Sequence, residues 1–451
     1  MFVVTLPLSA AKNPRACALR AKTMGIDMLE IRGDLTPEVS AFDSPLPLLI
    51  APRKKGMQML ATLKPRFVDL ELGEAMAVPS NVTVIRSFHD HTRTPDPPEL
   101  QNIVRALLST KPDIVKIATK IQSYADLQTL DALHGLLPND QKRIILGMGP
   151  KAHLSRLLSP LKNALTYTFL DAGDEAAPGQ IPFSLYEKTR HCHSPKIFGL
   201  LGGQQISRSL SPLMHNTFFE RHKVDALFAL FPTDDLNEAW VSLTSMNIDG
   251  FSVTAPFKTA IIPFLDELRG AAKELGSVNT VTREGSRFIG FNTDVVGLEE
   301  GFDWNGVRSV AILGSGGVVP AVIQCCRTQG IDDIVLYGRN EESRRDLTHR
   351  FDVQERPLYD LAAQKHDCIV CAITEDRDVL LPEAPTGARA FDLRYGKDTR
   401  FLKNAEEAGY AASDGLQMLL EQGLEQFRLF SGMVATTDDT SAVHNLLLSS
   451  V

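Results

Sequence analysis

The chain has 451 residues, 43% of them hydrophobic, with 47 lysines and arginines against 55 aspartates and glutamates, a net charge of −8. That acidic balance argues against nucleic acid as a partner, and no run approaches the roughly 18 apolar residues that cross a bilayer, which argues against a membrane. At roughly 150 residues per domain, the length predicts about three domains with cores of their own.

The amino terminus, MFVVTLPLSAAKNP, starts on a strand with no basic segment before the apolar run, so no secretion or transit signal is expected. Six cysteines in no secreted pattern fit a reducing cytoplasm. Two of them form CIVC at 368–371, where residues three apart on a strand face opposite sides, so packing is expected rather than a disulfide or a metal site. No metal site is expected elsewhere either.

Eight apolar, β-prone runs cover residues 1–190: FVVTLP, MLEIR, LPLLIA, RFVDLE, NVTVIRSF, DIVKIAT, RIILGMG and ALTYTFL. They alternate with helical segments such as KNPRACALRAKTMG and PPELQNIVRALLS, the pattern of parallel strands with crossover helices. The prediction is an α/β protein whose N-terminal part is a (β/α)8 barrel. It is a trimmed one, because the links after strands two to four have room only for short helices, and about 190 residues is below the usual size of roughly 250.

Chemistry in a barrel collects at the C-terminal ends of the strands, and the unusual polar residues fall there. Glu30 and Arg32 are two apart on strand two and share its inner face, His89 and Asp90 end strand five, and Lys116 interrupts the apolar DIVKIA of strand six. Burial is expected to lower the pKa of such a lysine and leave a free amine for Schiff-base chemistry. Its alternatives are a solvated strand edge or a structural ion pair. His91 is expected to be structural or solvated.

These residues resemble type I 3-dehydroquinate dehydratase over nearly all of residues 1–190, through EIRGD at 30–34, SFHDHTRTP at 87–95, DIVKIA at 113–118, GMGPKAHLSR at 147–156 and APGQ at 177–180. The resemblance implies that Lys116 forms an imine with the substrate ketone, that His89 shuttles the proton, and that Glu30 and Arg32 belong to the substrate shell. It implies further that Arg53 and Arg156 bind substrate, Arg156 at the carboxylate, and that Gln180 lies on a closing loop. Two departures stand out: APRKKGMQ lacks the acidic-Gly-Gly sequence usual after its arginine, and Ala176 replaces a serine common in the closing loop.

After a short polar junction, TRHCHSPK at 189–196, four islands of special chemistry follow: FSVTAPFK, GSVNTV, GFNTDVVG and LGSGG. Lys258 and Asp294 supply a cation and a carboxylate, with the amides Asn279 and Asn292 nearby, a set suited to a polyhydroxylated substrate whose carbonyl takes a hydride and a proton. In VAILGSGGVVPAVIQCC a strand breaks at Gly314, Ser315, Gly316 and Gly317 and resumes as a helix, the dinucleotide-binding turn. The next strand, IVLYGRN, ends in Arg339 and Asn340, where an acidic residue would favour NAD. A cation there suits a 2′-phosphate, hence NADP. The alternative is an ordinary surface arginine.

From Lys196 to the C-terminus the chain resembles shikimate dehydrogenase, through SRSLSPLMHN at 207–216, VTAPFK, SVNT, NTD, DLRYGKDTRFL and DGLQMLLEQG. The resemblance implies Ser209 and Ser211 on the substrate carboxylate, Thr254 and Asn279 in the substrate pocket, and Lys258 with Asp294 as the catalytic pair. It places Tyr395 at the cofactor or substrate edge, Gln422 on a substrate hydroxyl and Gly415 against the cofactor. Arg208 stands where the family usually has histidine, and CAITED lacks the usual Ala-Thr-Ser-x-Gly loop.

The expected domains are a barrel at 1–190, a substrate domain at 196–298 completed by 415–451, and a Rossmann NADP-binding domain at 299–414. Together the resemblances imply consecutive steps on one chain: 3-dehydroquinate loses water to 3-dehydroshikimate, which NADPH reduces to shikimate. Two alternatives are a quinate-type dehydrogenase in the second half, and one half acting as an inactive binding module. A homo-oligomer is compatible with either.

Overall fold

The structure, a computed structural model, describes residues 1–53, 59–396 and 398–450. It divides into two compact units, Met1–Ser194 with Ala229–Asn247, and Pro195–Phe228 with Ile248–Val451. Among the described residues no helix is long and apolar enough to cross a membrane.

The first unit is built on β1 (Phe2–Thr5), β2 (Met28–Arg32), β3 (Leu48–Ala51), β4 (Phe67–Glu71), β5 (Thr83–Asp90), β6 (Ile114–Lys120), β7 (Lys142–Met148), β8 (Thr166–Phe169) and the short β9 (Ile181–Pro182). All the pairings are parallel, in the order β7-β6-β5-β4-β3-β2-β1-β8-β9. The sheet curls onto itself. One apolar cluster takes Val3, Met28, Leu49, Phe67, Ile85, Ile114, Ile144 and Leu165 from the eight strands or their flanks, and so fills the barrel floor. Because strand side chains alternate, the inward residues two places further on, such as Thr5, Glu30, Asp69, Lys116 and Tyr167, form a layer nearer the strand ends.

The seam between β7 and β8 is closed differently. Ala164 N donates to Arg143 O at 2.9 Å, and the Asn163 side chain then acts as a strand residue, its Oδ1 accepting from Ile145 N (2.9 Å) and its Nδ2 donating to Ile145 O (3.0 Å). The crossover helices explain the small size. Pro14–Thr23, Pro97–Ser109 and Tyr124–Leu136 are full helices capped by Asn13, Asp96 and a Ser123/Asp126 capping box, whereas among the described residues β3 is followed only by Met59–Leu63.

The second unit holds two sheets. In the first, β10 (Lys196–Gly202), β12 (Gly250–Val253), β14 (Thr280–Glu284), β15 (Arg287–Phe291) and β13 (Glu267–Leu268) are neighbours in that order, and β11 (Ala226–Pro232) begins in this unit. The second sheet consists of β16 (Ser309–Leu313), β17 (Asp333–Gly338), β18 (Gln354–Pro357), β19 (Cys368–Cys371), β20 (Arg389–Asp392) and β21 (Ala411–Ser413). Its order, β18-β17-β16-β19-β20-β21, is the doubly wound 3-2-1-4-5-6 arrangement with the switch point beside β16. Both faces are covered: Val310, Ile312 and Cys368 belong to one core, Ala311, Leu313 and Cys371 to the other. The CIVC cysteines therefore face opposite sides, as expected.

Candidate active sites

At the strand ends of the barrel a cavity of about 510 Å³ is lined by Glu30, Arg32, Arg53, His89, Lys116, Arg156 and Gln180 among others. The residues that the resemblance nominates in the first half thus meet in one place, whereas Asp90 does not line the cavity. Lys116, 5% exposed, donates to Asp69 Oδ2 at 2.6 Å and to the Tyr167 hydroxyl at 3.2 Å. His89 Nδ1 lies 2.7 Å from Glu71 Oε2, and the other oxygen of that carboxylate accepts from His89 N at 2.9 Å. Arg53, held at φ 50 just after β3, reaches the same carboxylate at 3.0 Å. The remainder of its segment, residues 54–58, where the acidic-Gly-Gly sequence is missing, lies outside the described residues.

The shell around this centre is tied to itself. Thr5 Oγ1 donates to Glu30 Oε2, and Arg32 binds Asp34 through two nitrogens and donates to Ala176 O at 3.0 Å. Gln180 Oε1 accepts from Ala176 N at 2.8 Å, so Gln180 braces its own segment. Arg156, 2% exposed, uses Nε on Gly147 O (2.8 Å). His91 also borders the cavity, its ring nearly parallel to that of His89 with centroids 6.0 Å apart.

The electrostatics correct one expectation. Burial does push the Lys116 pKa down, but the adjoining Asp69 carboxylate, with help from Tyr167 and Glu30, outweighs it, and the net shift is upward. Asp69 is correspondingly held low by Lys116 and Arg53 against its own burial. The resting lysine is an ammonium in a buried ion pair, and a free amine appears only when its proton moves. His89 behaves in the opposite way: burial outweighs the Glu71 hydrogen bond, its pKa falls, and the imidazole is neutral near pH 7.

Asp69, Glu71 and Tyr167 were missed by the sequence reading, although RFVDLE carries two carboxylates two places apart on one strand face. That spacing was the available signal.

In the second unit Lys258 Nζ lies 2.6 Å from Asp294 Oδ2, and Asn279 Nδ2 donates to Asp294 Oδ1 at 2.9 Å. Asn292 shapes this turn, its Oδ1 accepting from Asp294 N and its Nδ2 donating to Ser277 O. Gln422 Oε1 stands 3.4 Å from Thr293 Oγ1 and 3.5 Å from Asn279 Nδ2. Its helix, Leu416–Ser431, comes this close because Gly297 faces it: a Cβ there would sit 2.8 Å from Met418 O. Ser209 Oγ donates to Ser211 Oγ at 3.1 Å, and the intervening Leu210 N donates to the Tyr395 hydroxyl at 3.3 Å. Thr254, just beyond β12, donates its backbone N–H to Leu201 O.

The glycine turn fits a dinucleotide. Gly314 adopts φ 114 directly after β16, a Cβ on Gly316 would meet only open space, and the helix Val319–Thr328 starts immediately beyond Ser315 and Gly317. Gly317 borders Lys258, its added Cβ falling 3.1 Å from the lysine Cβ, so the turn and the ion pair adjoin. Arg339 is exposed at the end of β17, Asn340 caps the following helix by accepting from Ser343 N, and Gly415 N donates to Arg394 O. Among the described residues no group of three or more His, Cys, Asp or Glu is arranged to hold a metal ion.

A barrel with a buried lysine at its mouth and a dinucleotide fold beside a Lys–Asp pair define a lyase joined to an oxidoreductase. Three family descriptions match the chain: Type I 3-dehydroquinase at residues 50–192, shikimate dehydrogenase substrate binding domain at 201–281, and Shikimate 5'-dehydrogenase C-terminal domain at 415–439. The chain is 28% identical over 482 residues to a chloroplastic bifunctional 3-dehydroquinate dehydratase/shikimate dehydrogenase of Arabidopsis thaliana, covering 92% of this chain and 79% of that protein. It is 33% identical to a shikimate dehydrogenase (NADP(+)) of Trichormus variabilis, over 52% of this chain and 90% of that one. The crystal structure of shikimate 5-dehydrogenase from Thermus thermophilus in complex with shikimate covers 56% of this chain and 99% of its own, with a TM-score of 0.50 at 28% identity. The chain belongs to the shikimate dehydrogenase family and carries, ahead of that part, a type I 3-dehydroquinase domain.

Proposed function

We infer that the chain dehydrates 3-dehydroquinate in its barrel and reduces the resulting 3-dehydroshikimate to shikimate with NADPH in its second unit. The observation that supports this reading is the presence of two lysine–aspartate pairs on one chain, Lys116 with Asp69 and Lys258 with Asp294.

In the barrel, Lys116 passes a proton to Asp69, its nearest acceptor at 2.6 Å, and the amine adds to the substrate ketone. Loss of water gives a protonated imine, which draws electrons more strongly than the ketone and acidifies the neighbouring C–H. Neutral His89, oriented by Glu71, takes that proton; the electron pair moves to the imine and then expels the β-hydroxyl, which leaves as water once protonated by His89. Hydrolysis of the imine restores Lys116. Arg156 holds the substrate carboxylate, Glu30, Arg32 and Arg53 hold hydroxyls and the opposite edge, and Gln180 fixes the loop that covers them.

In the second unit, NADPH supplies the hydride. Ser209 and Ser211 hold the carboxylate, and Thr254, Asn279, Tyr395 and Gln422 hold the ring. Lys258 donates a proton to the oxygen as the carbonyl is reduced and is reprotonated from solvent, and Asp294 fixes where Nζ points. Gly314, Ser315, Gly316, Gly317 and Gly415 would line the cofactor path, and Arg339 with Asn340 would hold the 2′-phosphate. The domain limits that follow are 1–190, 196–298 with 415–451, and 299–414. Six free cysteines, five of them buried, suit a cytoplasmic setting.

The test is a pair of assays. With 3-dehydroquinate and NADPH, the wild-type chain consumes NADPH and yields shikimate; Lys116→Ala abolishes this yet still reduces added 3-dehydroshikimate, and Lys258→Ala stops at 3-dehydroshikimate. Faster oxidation of quinate than shikimate, or no turnover in either half, would overturn the reading.

A further inference from the structure

Outside the groups that touch substrate, a fully buried polar network runs from the apolar core of the second unit to Asp294. Its hub is Gln426, 3% exposed and one turn beyond Gln422 on the same helix face. Gln426 Nε2 donates to Asn279 O (3.3 Å) and Thr280 Oγ1 (3.1 Å), while Oε1 accepts from Ser252 Oγ (2.8 Å) and faces His215 Nε2 (3.1 Å). A backbone carbonyl can only accept, so the Asn279 contact fixes which end of the amide is NH2, and all four of its hydrogen-bonding positions are used.

The direction of each remaining bond follows. Gln426 Oε1 requires a proton on His215 Nε2, leaving Nδ1 as a bare lone pair, and His215 Nδ1 is among the buried atoms without a partner. Thr280 Oγ1 donates to Asn279 Oδ1 at 2.8 Å, joined there by Thr293 N at 2.8 Å, so the Asn279 amide can turn only its Nδ2 toward Asp294 Oδ1. Every donor points the same way: His215 to Gln426, Gln426 to Thr280, Thr280 to Asn279, Asn279 to Asp294. Such chains polarise cooperatively, and this one ends on the carboxylate paired with Lys258.

We propose that Gln426 is a positioning residue of the reductase site: acting through Thr280, it locks the Asn279 amide and so fixes the Asp294 carboxylate that aims Lys258. This rests on the reading of Lys258 and Asp294 as the reductase pair. Ser252 and His215 anchor the far end of the amide, and the glutamine spans a gap that shorter side chains would leave open.

The experiment compares Gln426→Met, Thr280→Val, Thr280→Ser and Val443→Ala, the last a core truncation elsewhere in the same unit that lowers heat stability without touching the network. Two readouts are taken on the full chain: NADPH-dependent reduction of 3-dehydroshikimate, and the rate at which an acylating reagent labels Lys258, located by peptide mass. Gln426→Met and Thr280→Val should each cut kcat about tenfold or more with KM for NADPH unchanged, and speed Lys258 labelling several-fold as the ion pair loosens. Thr280→Ser should restore wild-type behaviour, and Val443→Ala should leave both readouts unchanged. Wild-type kcat and wild-type labelling in Gln426→Met would overturn the proposal. The labelling decides it without turnover, whereas failure of the wild-type chain to reduce 3-dehydroshikimate would count against the reductase reading alone.

Discussion

Glu71 shows how much one side chain settles at the barrel mouth. It touches both His89 and Arg53, and it partly offsets the burial that lowers the His89 pKa. With the neutral imidazole as the proposed general base, dehydration should fail as pH falls through the His89 pKa, which burial holds below its ordinary value. Replacing Glu71 with Gln removes a charge that favours imidazolium and should move this acid limb to still lower pH. The same change loosens the ring, and kcat should drop about tenfold, a part of the roughly hundredfold or more that a positioned base contributes. Rates of 3-dehydroshikimate formation followed by absorbance from pH 4 to 8 would check both, and an acid limb moved upward would refute the assignment. Lys116 could be found by reading the chain because a lysine inside an apolar strand is conspicuous. Its protonation state could not: the deciding charge, Asp69, is 47 positions away and meets Lys116 only once β4, β5 and β6 pair in register.

At the level of elements, the barrel was legible because eight apolar, β-prone runs alternate with helical segments, and the Rossmann turn because glycines break the apolar strand VAIL. Polar strands such as QERP at Gln354–Pro357 gave no such signal. What stayed hidden was how the barrel closes, since nothing in LKNALTYTF says that Asn163 substitutes its side chain for backbone at the β7–β8 seam. Asn163→Ala should leave Ile145 N–H and C=O without these partners and lower the stability of the first unit by about 2 kcal/mol. Denaturant titration read out by dehydratase activity would measure it, with reduction of 3-dehydroshikimate expected to persist at concentrations where dehydration has been lost. Unchanged dehydratase midpoints would mean that the seam is held by the rest of β8. The Gln426 network was hidden for the same reason: Ser252, Thr280 and Gln426 look unremarkable until a sheet and a helix bring them together.

The whole molecule joins two chemistries on one chain, dehydration and nucleotide-dependent reduction, each proposed to use its own lysine–aspartate pair. The pairs differ in purpose. In the proposed reactions Asp69 receives the proton that masks the Lys116 nucleophile, whereas Asp294 aims the Lys258 side chain that protonates the reduced oxygen. The most direct test is to incubate the protein with 3-dehydroquinate, add borohydride, and locate any adduct by peptide mass, with NADPH absorbance followed in a parallel sample. The account predicts a reduced adduct on Lys116, none on Lys258, and NADPH consumption in the untrapped sample. An adduct on another residue, or dehydration proceeding with no trappable adduct at all, would contradict it.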